Sequence, residues 1–85
     1  MASYRLFIKP SAAKEIESLP KPDRKKVVAR IQSLTKGPRP HGCEKLSEHE
    51  HYRIRQGNYR ILYSIEDERL IIVVVKVGHR KEVYR

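Results

Sequence analysis

"YRIRQGNYRILY", residues 52–63, holds two short alternating runs on either side of a Gly57-Asn58 pair. A two-residue connection of this composition suits a type I′ or II′ turn, and such a turn fixes the register of a β-hairpin. Gln56 then opposes Tyr59, Arg55 opposes Arg60, Ile54 opposes Ile61 and Tyr52 opposes Tyr63. Directly opposed residues of an antiparallel pair share a face. One face therefore gathers Tyr52, Ile54, Ile61 and Tyr63, and the other gathers Arg53, Arg55 and Arg60 with Leu62 beside them. A three-residue turn would pair Ile54 with Arg60 and mix polar with apolar on both faces, which a half-buried sheet disfavours.

The rest of the fold reads outward from this hairpin. Residues 3–9, SYRLFIK, alternate with Leu6 and Ile8 on one face and predict a strand. Ser11 is the expected N-cap of a helix over Ala12 to Leu19, with Ile16 and Leu19 turned inward. Pro20 and Pro22 stop that helix, and Pro22 opens a second one. Its Val27, Ile31 and Leu34 recur at i, i+4 and i+7, with Val28 widening the stripe, and Gly37-Pro38 ends it at about Lys36. Residues 37–45, GPRPHGCEK, read as a loop. After the hairpin, Glu66, Asp67 and Glu68 predict a turn, and Leu70–Val77 a central strand with little water on either face. The expected order is β-α-α-β-β-β. That is an α+β architecture in one domain over residues 1–85, with an αα-hairpin packed on one face of a mainly antiparallel four-stranded sheet.

Composition narrows the function. Among 85 residues, 19 Lys and Arg stand against 10 Asp and Glu, a net charge of +9. That excess points to a polyanionic partner, nucleic acid first and an acidic protein second. No apolar run reaches the roughly 18 residues of a membrane span, and no basic segment also carries a broad apolar face with Trp or Phe. The N-terminus lacks the apolar stretch of a secretory signal, and Cys43 is the sole cysteine. A cytoplasmic location, with neither a membrane nor a small molecule as partner, is the expectation.

Like charges set opposite one another on a sheet are destabilising by up to roughly 1 kcal/mol, so Arg55 facing Arg60 calls for an explanation. Guanidinium forks match phosphate oxygens, and an anion site on the face away from the helices supplies one. The ordinary alternative is that the acidic turn or the chain end provides partners. The last strand delivers Gly78-His79-Arg80 to a rim of the sheet, and Tyr84 adds a ring able to stack on a base.

Together, YRIRQGNYRILY and the later VGHRKEVY, on a β-α-α-β-β-β chain of this length, resemble the RelE/ParE superfamily of toxins, most closely its RelE branch. The resemblance runs over essentially the whole chain. It implies the toxin of a type II toxin–antitoxin system, a metal- and cofactor-independent endoribonuclease that cuts mRNA in the A site of the 70S ribosome. A cognate antitoxin protein neutralises such toxins by wrapping around them. By position, the family's basic pair falls on Arg53 and Arg55, its phosphate-binding arginine on Arg60 and its late catalytic arginine on Arg80. Its base-stacking aromatic falls on Tyr84.

There are two departures. The best-studied RelE enzymes carry lysines where this chain has Arg53 and Arg55, and a basic residue other than histidine at the position of His79. Cleavage without metal requires the ribose 2′-OH to attack the adjacent phosphorus, so some group must accept its proton. Arginine can stabilise the phosphate but effectively never deprotonates. His79 is therefore the expected proton carrier. Two rivals share the fold: a ParE-like toxin that poisons DNA gyrase without cutting RNA, and a non-catalytic RNA-binding or antitoxin-partner domain. His41, Cys43, His49 and His51 are possible zinc ligands, but their spacing matches no usual structural zinc pattern, and no metal is expected.

Overall fold

The computed structural model describes residues 3–46 and 51–79. Seven elements follow in order: β1 (Arg5–Ile8), α1 (Pro10–Glu17), α2 (Lys21–Ser33), β2 (Glu44–Lys45), β3 (His51–Gln56), β4 (Tyr59–Glu66) and β5 (Ile71–His79). The sheet order is β1-β5-β4-β3-β2, with β1 parallel to β5 and every other pair antiparallel. The α+β class is as expected, but the sheet has five strands rather than four. The extra one, β2, lies in the stretch read as a loop. It is only two residues long, and it exists through pairing with β3 rather than through any strand propensity of its own.

Helix ends also shift from the sequence reading. Lys9, not Ser11, is the N-cap of α1, because Pro10 fits the first helical turn where no amide partner is needed. α2 begins one residue before Pro22 and ends at Ser33, three residues short of Lys36. Beyond it the amides of Leu34, Thr35 and Lys36 reach back three residues rather than four. That tighter turn satisfies the last carbonyls and swings Leu34 into the core. β5 likewise starts at Ile71, because Leu70 takes a left-handed backbone (φ 55°) in the turn after β4. β5 also continues through Gly78, which the sequence reading placed at its end.

The hairpin register is the one expected, residue for residue, from Gln56↔Tyr59 to Tyr52↔Tyr63. Gly57 adopts φ +61°, the left-handed geometry that a type I′ turn requires. Ala12 and Ile16 of α1 and Val27 and Ile31 of α2 cover one side of the sheet. They meet Tyr52, Ile54, Ile61, Tyr63, Ile65, Ile72, Val74 and Val77 in one apolar core. Among the described residues no helix covers the opposite side, and Ile71, Val73, Val75 and Leu62 are only half-buried there. β5 is central, as expected, but it is dry on one face only.

No helix of the described residues is long and apolar enough to cross a membrane.

Candidate anion-binding site on the open sheet face

Three strands build the site. Arg53 opposes Leu62, which opposes Lys76; Arg55 opposes Arg60, which opposes Gly78. Because opposed residues share a face, the three arginines stand together on the side away from the helices. With Gly42, Glu44 and Ile54 they line an open concavity of about 480 Å³.

The β2 strand contributes a carboxylate. Glu44 pairs with Arg53 across the sheet edge, and its Oε1 accepts from Arg53 Nε at 3.3 Å and Nη2 at 3.0 Å. The Arg53 side chain is 14% exposed and that of Glu44 is 63% exposed, so the arginine is seated while the carboxylate faces solvent. The sequence reading looked for acidic partners at Glu66–Glu68 or at the chain end. A partner of Arg53 comes from the loop that became β2; the chain end lies outside the described residues.

That loop is held firmly. Arg39 donates to both oxygens of Asp67, at 3.1 and 2.7 Å, and its guanidinium stacks 5.1 Å from the centre of the Tyr52 ring. Arg39 Nε also donates to Tyr52 Oη at 3.2 Å, Tyr4 Oη donates to Asp67 Oδ1 at 2.7 Å, and Tyr63 Oη donates to the Pro38 carbonyl at 2.6 Å. The Arg39 and Tyr4 hydrogen bonds lower the Asp67 carboxyl to about 2. Burial pushes the Tyr63 phenol well above its ordinary value, so it stays a donor. Gly42, at φ +90°, then turns the chain into Glu44.

His79 is not part of this group. It opposes Tyr59, their rings meet edge-on at 6.1 Å, and Tyr59 Oη donates to Asp23 Oδ2 of α2 at 3.0 Å. That hydrogen bond raises the Tyr59 phenol and marks its side of the sheet as the helix side. His79 therefore lies on the face opposite to Arg60, for strand alternation separates them. Arg80, Tyr84 and His49 lie outside the described residues. Among the described residues no group of three or more His, Cys, Asp and Glu is placed to hold a metal.

One residue that lines the concavity, Glu44, and one on the strand beside it, Lys76, escaped the sequence reading. Glu44 gave no signal, since a lone acid in a Gly/Pro-rich loop has no assignable direction until a strand pairs with it. Lys76 did give one: a charge inside the run IIVVVKV demands a way out of the core.

The sequence matches the family described as "ParE toxin of type II toxin-antitoxin system, parDE" over residues 6–84. Toxin RelG of Mycobacterium tuberculosis is 44% identical over 34 residues, which are 40% of this chain and 39% of that relative. Three solved structures share the fold over nearly its whole length. The toxin–antitoxin complex RelBE2 of Mycobacterium tuberculosis superposes with a TM-score of 0.83 at 28% identity, covering 94% of each chain. The archaeal RelE–RelB complex of Pyrococcus horikoshii gives 0.83 at 28%, covering 92% of this chain and 96% of its counterpart. The isolated E. coli RelE toxin gives 0.80 at 27%, covering 96% and 92%.

Proposed function

This chain belongs to the ParE toxin family within the RelE/ParE superfamily of type II toxin–antitoxin systems, and on that premise we propose that it is a ribosome-dependent endoribonuclease cutting mRNA in the A site. The observation that carries this reading is the concavity lined by Arg53, Arg55 and Arg60 together with the carboxylate of Glu44, which Arg53 holds. Attack of a ribose 2′-OH on its phosphorus yields a 2′,3′-cyclic phosphate and a 5′-OH end. A carboxylate accepts the 2′ proton, which a guanidinium does not. Glu44 takes that role, oriented by the fork of Arg53. Arg55 and Arg60 hold the non-bridging oxygens, where charge grows in the transition state. Arg80 and Tyr84 keep the roles that the resemblance gives them, a catalytic arginine that binds and stabilises phosphate and a ring that stacks on a base. A cognate antitoxin is the expected protein partner, as in the solved RelB complexes, and the net charge of +9 favours an acidic one.

The test uses purified protein on programmed 70S ribosomes, with mRNA ends mapped by primer extension. Arg60→Ala is expected to slow A-site cutting by roughly 10²–10³-fold. Glu44→Gln should slow it about 10²-fold or more. One finding favours a second reading: the family match carries the name ParE. Gyrase-dependent DNA breaks without mRNA cuts would establish that alternative.

A further inference from the structure

β5 carries its one ammonium between buried positions. Ile72 and Val74 point into the core, and strict alternation would send Lys76 in after them, where an unpaired charge is costly. The register shifts instead. Tyr63 opposes Val74 but Leu62 opposes Lys76, so Val75 is the extra residue of a bulge and Val77 takes the next core place. Lys76 thereby emerges on the arginine face. Its diagonal neighbour is Arg60, and such positions lie about 7–8 Å apart, within reach of long side chains. Gly78, opposite Arg60, sets no side chain between them.

The ammonium is held to one side. Lys76 Nζ donates to Glu15 Oε2 at 3.0 Å, and Glu15 Oε1 accepts the Val77 amide at 3.0 Å. This contact falls along the edge of β5 that β1 leaves uncovered, since β1 pairs only as far as Val74. Both side chains are partly exposed, Lys76 by 43% and Glu15 by 32%, and pairs of that kind are weak. Were Lys76 to leave, the Val77 amide would still satisfy Glu15, so the exchange strands no carboxylate.

We propose that Lys76 is a second phosphate-binding group of this site, released from Glu15 to contact the phosphodiester neighbouring the one held by the arginines. The proposal rests on reading the arginine face as an RNA site. Lysine suits the task as a mobile point charge with three donors on a long stem. Glu15 acts as its resting partner, so the two residues of one ion pair should have opposite effects on RNA.

Binding of a fluorescein-labelled single-stranded RNA oligonucleotide, titrated over a range of salt, tests this. Lys76→Met is expected to weaken binding and to reduce the slope of log K against log salt by about 0.7, one phosphate contact on a single strand. Lys76→Arg should restore both. Glu15→Gln keeps an acceptor for the Val77 amide and should tighten binding by up to about fivefold. Equal weakening by Lys76→Met and Glu15→Gln, with an unchanged slope, marks a structural ion pair and overturns the proposal. Arg60→Ala separates the levels. If it weakens binding and Lys76→Met does not, the inference fails while the site stands. If neither does, or if the unmodified protein binds no RNA, both fail.

Discussion

Ile54 and Arg55 are neighbours in β3, yet one is 1% exposed beneath the helices and the other stands in solvent beside Arg60. The two faces of this sheet are built on opposite rules. Under α1 and α2, the thirteen residues buried among those described are all hydrophobic, and none of them is charged. On the open face, cations crowd a shallow concavity at a cost in repulsion, and a carboxylate from the sheet edge offsets part of it. Burial stabilises the first face, and the second draws its charges from the same strands. A sheet with one dry side can carry chemistry on the other because alternation keeps the two sets of side chains apart.

The contrast can be broken most sharply at those neighbouring positions. Ile54→Ala should lower unfolding free energy by about 2–5 kcal/mol through lost contacts and a residual cavity, read as the midpoint of urea unfolding. Arg55→Ala should change the unfolding free energy by no more than about 0.5 kcal/mol while reducing A-site cutting. Similar stability losses from both would show that the open face is also structural.

A smaller effect tests what divides the faces. Gly57→Ala forces a side chain into the left-handed region and should cost about 1–2 kcal/mol. An unchanged urea midpoint would mean that the turn does not set the register.

The smallest effect concerns the loop that brings Glu44 to the site. The Asp67 carboxyl is depressed from 3.8 to about 2 by Arg39 and Tyr4, so its contribution is complete above about pH 4 and fades as pH falls through 2. The gap in urea midpoint between the unmodified protein and Asp67→Asn should therefore hold constant from pH 7 to 5 and close toward pH 2. A gap that persists at pH 2 would remove the ion pair as its source.

Much of the fold was legible because its signals are local. The Gly57-Asn58 turn fixes a register, and period-2 and period-3.6 patterns point Ile54, Ile61, Val27 and Ile31 inward. The three arginines of the site followed from that register alone. Glu44, Lys76 and the placement of His79 did not follow. Each depends on a neighbouring strand: β3 gives Glu44 its direction, the bulge turns Lys76 outward, and pairing with Tyr59 sends His79 to the helix side.

The amino-acid sequence by itself determined the hairpin, the two-helix cover, the basic face and the resemblance to RelE-type toxins, because turn chemistry and periodicity act within a dozen residues. Only the tertiary structure decided which groups meet in the site. A carboxylate beside Arg53 requires Glu44 to cross from a loop to the sheet edge, and Lys76 reaches the arginine face only through one extra residue in β5. Such meetings are set by pairing between distant segments, where a shift of a single residue exchanges one face for the other.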